Sequence, residues 1–137
     1  MALLLVVGCG GSSDGGGSAT ISSQPLAGKL GGQAWTFATG ETTGVLSTGE
    51  QLWVDLYGHS FDACVAFGAP PNADLVTMMM PRTPGNYDVS LTLNDIATSG
   101  RLVIDSVTAT TITGGLSIAH NSDNAISGRF QATICPP

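Results

Sequence analysis

Short runs of apolar residues, separated by turn residues, dominate the chain after Pro25. In the clearest run, residues 87–93 (YDVSLTL), aromatic or aliphatic residues at the odd positions alternate with polar residues at the even positions. A two-residue period places successive side chains on opposite faces of a strand, so this run predicts a half-buried β-strand. No window of helical length carries an apolar stripe with the helical period. The pattern therefore predicts an all-β domain.

The predicted strands are short runs rich in β-branched and aromatic residues, bounded by Gly, Asn, Asp or Pro. They lie near Ala27–Leu30, Gln33–Thr39, Gln51–Tyr57, Ala63–Phe67, Asp74–Met80, Tyr87–Leu93, Arg101–Val107, Thr111–His120 and Ala125–Ile134. The last two read as a hairpin, because the turn-forming residues NSDN (121–124) separate them. About eight to nine strands with one polar face each predict a single antiparallel β-sandwich, with a small β-barrel as the alternative.

The chain begins differently, with the apolar run ALLLVV (2–7), then Gly8 and Cys9. This stretch resembles the cleavage and lipidation box of bacterial lipoproteins, which implies that Cys9 becomes the acylated first residue of the mature protein. The apolar run is shorter than a full signal peptide requires, and no Lys or Arg precedes it. We therefore expect residues 1–8 to be a truncated lipoprotein signal segment whose true start lies upstream. The alternative is a clipped remnant that is not exported, with Cys9 an ordinary thiol.

The residues after Cys9, GGSSDGGGSATISSQ (10–24), are mostly Gly and Ser. Such a composition buries too little apolar area to offset the entropy of ordering its backbone, which predicts a flexible tether. The expected organisation is a signal segment over 1–8, a lipidated Cys9 with its tether over 9–24, and the β-domain over 25–137.

Three further stretches carry a family resemblance: GKLGGQAW (28–35), TGGL (113–116) and SGRFQATIC (127–135). They are similar to small bacterial envelope lipoproteins with one β-sandwich-like domain, most of unknown function. The resemblance implies an envelope location and this fold, and it carries no catalytic residue across. Gly10 and Gly11 follow Cys9 with no Asp at either position. In lipoproteins of double-membraned bacteria, that absence resembles the pattern sorted to the outer membrane, where the domain would face the periplasm or the cell surface.

Charge narrows the range of partners. Only 10% of the residues are charged, and the formal net charge is −6. The cations Lys29, Arg82, Arg101 and Arg129 are scattered, so no basic stripe is available for nucleic acid. Acidity also disfavours adhesion to anionic lipid head groups. We expect attachment to a membrane only through acyl chains on Cys9.

If Cys9 carries lipid, Cys64 and Cys135 are the remaining pair of cysteines. In an oxidising envelope compartment such a pair predicts a disulfide. Closing a loop of about 70 residues would stabilise the fold by roughly 4 kcal/mol in the chain-entropy model. A metal site on this pair is the weaker alternative, because neither cysteine has a His or a second Cys nearby at ligand spacing.

Other side chains that could bind a metal ion have simpler structural explanations. Met78–Met80 with His59 and His120 offers soft ligands for copper, but alternation on a strand lets at most two of the methionines converge, and methionine commonly fills a core. Asn121, Asp123 and Asn124 offer oxygen ligands for calcium, yet these residue types also form turns. We expect neither a metal nor a cofactor.

The sequence favours a non-catalytic role over an enzymatic one. The segment GHSFD (58–62) holds a hydroxyl, an imidazole and a carboxylate, but neighbours in a short turn cannot form a nucleophile–base–acid relay. A hydrolase that uses His59 or His120 in a long-range arrangement remains an alternative. Another is an inhibitor of an envelope-attacking hydrolase, for which Phe67–Arg82 would be the protruding loop.

The favoured function is non-catalytic binding or an architectural role in the envelope, through a predicted aromatic platform in LWVDLY (52–57). Residues 52, 54 and 56 suit the core, which turns Trp53, Asp55 and Tyr57 to the opposite face. Two aromatic rings that flank a carboxylate form a flat surface suited to a glycan or a protein loop. The alternative is that a neighbouring loop, or the Pro-rich segment Gly68–Asn72, covers these rings.

Overall fold

The structure is a computed structural model and describes residues 20–44, 47, 49–65, 68–69 and 75–137. The predicted signal segment, Cys9 and tether residues 10–19 lie outside the described residues. Within the described ranges, no helix is long and apolar enough to cross a membrane.

The described residues form nine β-strands and no α-helix. The strands are β1 (Ala27–Leu30), β2 (Gln33–Thr36), β3 (Thr39–Thr42), β4 (Gln51–Tyr57), β5 (Leu75–Pro81), β6 (Gly85–Leu93), β7 (Ile96–Val107), β8 (Thr111–Asn121) and β9 (Asn124–Thr133). The predicted all-β class is confirmed.

Seven of the strands, β3 to β9, close into a barrel, and β1 and β2 lie outside it. Strand β9 makes the closure, because it pairs with β8 along one edge and divides its other edge between two strands. Residues 125–127 of β9 pair with β1, and Thr133 pairs in parallel with Glu41 of β3. The small barrel, predicted as the alternative, is therefore the observed architecture, and the favoured two-sheet sandwich is not.

Alternating side chains from every barrel strand fill the interior, as expected for a barrel this narrow. Leu52, Val54 and Leu56 of β4 are fully buried, and Leu102 and Ile112 meet them from other strands. The inward positions of β3 are Gly40 and Thr42, which explains why its sequence shows no apolar alternation. A side chain at Gly40 would lie 2.9 Å from Ala132 Cβ, so this position has no room for one.

The strand predicted at Arg101–Val107 begins earlier, at Ile96, and several other strand ends shift by one or two residues. Two predictions differ more. The run Gln33–Thr39 is β2 followed by the start of β3, with a break at residues 37–38. The predicted strand Ala63–Phe67 is wrong over its described part, because residues 63–65 form a turn in which Cys64 has a positive φ of 66°. A left-handed residue interrupts the extended backbone that a strand requires.

The chain enters the barrel domain across the outer face of β8 and β9. Ser22 N–H donates to Ser127 Oγ at 2.9 Å, and Ser127 Oγ donates to the Thr20 carbonyl at 3.1 Å. A side chain at Gly115 of β8 would lie 2.6 Å from Ile21 Cγ2, so glycine there admits the crossing segment. The last five residues of the predicted tether, 20–24, therefore pack on the domain and are not part of a flexible linker.

Candidate functional site

The predicted platform on β4 is present only in part. Trp53 and Asp55 point outward and are half-buried, as the alternation predicts. Tyr57, also expected on the open face, is only 9% exposed. The connection after β4 folds back over it, and the Phe61 ring meets the Tyr57 ring edge-on at 5.0 Å between centroids. The platform is therefore reduced to Trp53 and Asp55, and a loop covers Tyr57, as the alternative interpretation expected.

Asp55 is held in place by two threonines, one directly after β3 and one in β5. Thr43 Oγ1 donates to Asp55 Oδ2 at 3.1 Å, and Thr77 Oγ1 of β5 donates to Asp55 Oδ1 at 2.8 Å. Each carboxylate oxygen already accepts a hydrogen bond, so Asp55 fixes the outer surface of β4 and β5.

Glu41 lies directly opposite Asp55 on β3, and it accepts a hydrogen bond from Cys64 N–H at 2.7 Å. The two carboxylates flank the covered phenol of Tyr57. Burial, and then the negative charges of Asp55 and Glu41, raise the pKa of Tyr57 to about 12. Tyr57 is therefore a neutral packing residue at ordinary pH.

Trp53 forms one wall of an open groove of about 500 Å³ on the outer face of β4, β5 and β6. Its polar and apolar lining includes Thr77, Met79, Ser90, Thr92 and Thr98. Met79 lies directly opposite Trp53 across β4 and β5. Sequence reasoning missed these lining residues. The only sequence feature that could have identified them is the alternation of buried and outward positions, which turns Met79 outward between the buried Met78 and Met80.

The groove continues into a second part of about 370 Å³, which shares Met79 and Ser90 with the first. Pro81, Tyr87 and Val89 line this part. Tyr87 and Val89 belong to the inward-facing positions of β6 and pack against the core. The groove therefore cuts into the barrel wall as well as lying on it.

This opening exists because β5 and β6 diverge. Among the described residues their ladder contains three pairs and ends at Met78–Leu91, although β5 continues to Pro81 and β6 begins at Gly85. Over the same lengths, β5 pairs with β4 up to Pro81, and β6 pairs with β7 from Gly85. Pro81 has no N–H to donate, which weakens continued pairing at this point.

Cys64 and Cys135 form the predicted disulfide, with a Cα–Cα distance of 5.3 Å. It joins the β4–β5 connection to the residues after β9. The Glu41 carboxylate lies close enough that its oxygen and the two sulfurs fall within 4.8 Å of one another. Sulfurs bonded to each other are not thiolates, so this cluster offers a metal only one anionic ligand in the oxidised protein.

Neither histidine is itself a lining residue of the groove, but His120 contacts Thr98 of the lining. His59 is exposed in the turn after β4. His120 is exposed near the end of β8, with Nδ1 3.1 Å from Thr98 Oγ1. Among the described residues, neither histidine has a carboxylate partner that would orient it as a base. The structure does not bring together the relay that the hydrolase alternative requires.

The polar turn at 121–124 uses its side chains to bind its own backbone and a neighbouring turn. Asn121 Oδ1 accepts from Asp123 N–H at 3.0 Å and from Asn124 Nδ2 at 3.1 Å. Asn124 Oδ1 accepts from Gly31 N–H at 2.9 Å. These contacts support the turn interpretation of the three residues over the calcium interpretation.

The loop proposed for an inhibitor, Phe67–Arg82, is not a loop over most of its described length. Residues Leu75–Pro81 are strand β5 in the barrel wall. Phe67 and residues 70–74 lie outside the described residues. The described part therefore does not provide the protruding element that the inhibitor alternative needs.

In comparisons with known proteins, no family model matches the chain, and no curated protein or solved structure is significantly similar to it. The geometry of the groove is consequently the main guide to function.

Proposed function

We propose that this chain is an envelope lipoprotein, anchored through acyl chains on Cys9, that binds a partner without catalysis through the groove beside Trp53. The observation that carries the binding role is the groove itself, open on the outer face and walled by Trp53 and Met79. An aromatic ring beside an apolar side chain in an open groove is typical of a recognition surface.

The position of the groove supports a tethered receptor. It is centred on β5 and β6, whereas residues 20–24 cross β8 and β9. In the ring formed by β3 to β9, β5 lies three strands from β8 in one direction and three from β9 in the other. The groove and the entering segment therefore occupy opposite sides of the barrel. An anchor on Cys9 would therefore hold the domain from the side opposite the groove.

The lining supports binding rather than chemistry. The groove combines Trp53 and Met79 with the hydroxyl-bearing residues Thr77, Ser90 and Thr92. This mixture suits a protein segment or a glycan. Asp88 is the one carboxylate among the described lining residues, and none of them is a histidine. The described lining therefore does not pair a base with a second group that orients it.

The anchor is tested by the intact mass of protein expressed from its native upstream region, with and without reduction. A product that begins at Cys9, heavier by its acyl chains, is the expected result. Reduction should add the mass of two hydrogens as Cys64–Cys135 opens. An unprocessed chain with free Cys9 would contradict the lipoprotein proposal and leave the groove to be judged separately.

The binding role is tested by titrating the domain with soluble peptidoglycan fragments and with short synthetic peptides, while tryptophan fluorescence is recorded. Trp35 is buried, so a ligand in the groove should change mainly the emission of Trp53. Trp53→Ala, which lacks this reporter and is therefore titrated by isothermal calorimetry beside the wild type, should abolish binding of whichever ligand class is active. Undiminished binding by this variant would refute the groove as the site.

A further inference from the structure

The open edge between β5 and β6 presents backbone groups as well as side chains. Asn94 N–H donates to the Leu75 carbonyl at 3.0 Å, which shows that the odd-numbered residues of β5 direct their N–H and C=O groups toward β6. Arg82 N–H donates to the Glu50 carbonyl on the other side, as the same alternation requires. Met79 N–H and the carbonyls of Met79 and Pro81 therefore point into the gap.

The facing edge of β6 is complementary. The tight turn between β6 and β7 consists of Asn94 and Asp95, both with positive φ, and the residues flanking such a turn bond each other. The odd-numbered residues of β6 therefore bond to β7, and the even-numbered ones face β5. The N–H and C=O groups of Ser90 and Asp88 point into the gap, where no ladder pair with β5 forms.

We infer that the gap between β5 and β6 binds the end of an extended, cationic peptide segment as an added strand. This inference rests on the proposed binding function of the groove and names its ligand class. Backbone groups at every second residue along two facing edges match the hydrogen-bonding period of a peptide strand. An acyl chain would leave these groups unbonded, and sugar hydroxyls lack the strand period.

The connection between β5 and β6 is long enough to permit this insertion at the open end. An added strand needs two strand spacings, about 9.6 Å, between β5 and β6. Residues 82–84 connect Pro81 to Gly85, and four extended residue steps can span up to about 14 Å. The Met78–Leu91 pair keeps the other end closed. The peptide would therefore pair first at Pro81 and Asp88 and extend toward Met79 and Ser90.

Side chains and charge define the peptide further. Its alternate residues would face Tyr87 and Val89 on the inner side and Met79 on the outer side, which favours apolar residues at one set of positions. Asp88 is the one charged residue among the described lining residues of both groove parts. Arg101 lies opposite Asp88 on β7, but the two form no ion pair. A basic residue on the peptide would supply that partner.

The experiment is hydrogen exchange at individual amides of the disulfide-bonded domain, read by NMR. The probe is the acetylated and amidated hexapeptide Lys-Val-Lys-Val-Lys-Val. One control is the same peptide with its three valine amides N-methylated, which keeps the side chains and removes the strand-pairing donors toward one edge of the gap. A second control replaces lysine with glutamate.

The lysine peptide should slow exchange of the Asp88 and Ser90 amides by about tenfold or more at about 1 mM peptide. The N-methylated and glutamate peptides should each bind at least about tenfold more weakly, and Asp88→Asn should weaken binding of the lysine peptide severalfold. This combination would establish both strand addition and the charge preference.

Equal protection by the N-methylated peptide would overturn strand addition while leaving groove binding intact. Equal protection by the glutamate peptide would overturn the charge preference. Protection confined to β2 (Gln33–Thr36), which lies at the end of the sheet order, would place the peptide on the wrong edge and refute the inference. Absence of any protection would also refute it. The Trp53→Ala titration with peptidoglycan fragments would then decide the proposed function on its own.

Discussion

Trp53 of β4 lies directly opposite Met79 of β5 on the outer face of the barrel, and the adjacent pair, Leu52 and Met80, lies directly opposite on the inner face. The inner pair is fully buried, whereas the outer pair is half-buried and lines the groove. The pairing register of β4 and β5 thus places a pair that fills the core next to a pair that lines the groove.

This division predicts different costs for two adjacent substitutions. Trp53→Ala should lower the free energy of unfolding by about 1 kcal/mol, because it removes contacts on a half-open surface. Leu52→Ala, the matched control, should cost about 2–5 kcal/mol because it leaves a cavity in the core. Urea denaturation measures both. Equal losses would mean that Trp53 is a core residue and that the groove is not a free surface.

The disulfide should contribute substantially to stability. Cys64 and Cys135 are separated by 71 residues in sequence, so the cross-link restricts a large part of the unfolded chain. The double variant Cys64→Ala, Cys135→Ala should lose about 2–5 kcal/mol in urea denaturation. Wild-type protein under reducing conditions should show a comparable loss. A reduced protein as stable as the oxidised one would show that packing alone holds the β4–β5 connection in place.

Tyr57 should make stability fall at high pH. Its pKa is raised to about 12 in the folded state by burial and by the nearby carboxylates, above the ordinary value of about 10. Below pH about 10 both states keep the proton, so the stability is fully present. Between pH about 10 and 12 the unfolded state releases the proton first, and folding weakens by up to about 1.4 kcal/mol per pH unit.

Tyr57→Phe removes the titrating hydroxyl and should flatten this part of the pH profile. The measurement is urea denaturation of both proteins across the alkaline range. An identical decline in the variant would assign the loss to other groups.

Gly128 should be intolerant of any side chain. It has a φ of +147°, and a Cβ there would lie 2.5 Å from Leu26 Cα, where the entering segment meets β9. Because the clash is with backbone atoms, no side-chain rotation can relieve it. Gly128→Ala should therefore lower the free energy of unfolding by at least about 3 kcal/mol. Gly31→Ala is the control, because Gly31 also has a positive φ (+57°) but nothing within 4 Å of the added Cβ. It should cost only about 1–2 kcal/mol. Similar losses, measured by thermal or urea denaturation, would show that the entering segment does not pack tightly there.

Local patterns predicted a large part of the fold. Strands β1 and β4 have the bounds expected from their sequences, and the alternation in β6 correctly separates the buried Leu91 and Leu93 from the exposed Asp88. Strand β3 was missed because its inner positions are Gly40 and Thr42. Their burial depends on close contact with β9, which no local hydrophobic pattern records.

The candidate site was predicted less well than the strands. Alternation correctly turned Trp53 and Asp55 outward, but it could not show that Phe61 would cover Tyr57. The opposite wall of the groove comes from β6, more than thirty residues away in sequence. Which residues meet across the groove depends on strand register, which pairing between distant segments sets.

The sequence by itself determined the all-β class and the inner and outer faces of the clearest strands, because short periodicities are local properties. With three cysteines in the chain, it indicated the Cys64–Cys135 pair only on the expectation that Cys9 carries lipid. Only the tertiary structure decided that β9 closes a barrel instead of completing a sandwich. It also decided that β5 and β6 separate after Met78–Leu91. Both outcomes depend on which distant backbone groups find hydrogen-bonding partners, and the order of apolar and polar residues along one strand does not encode that choice.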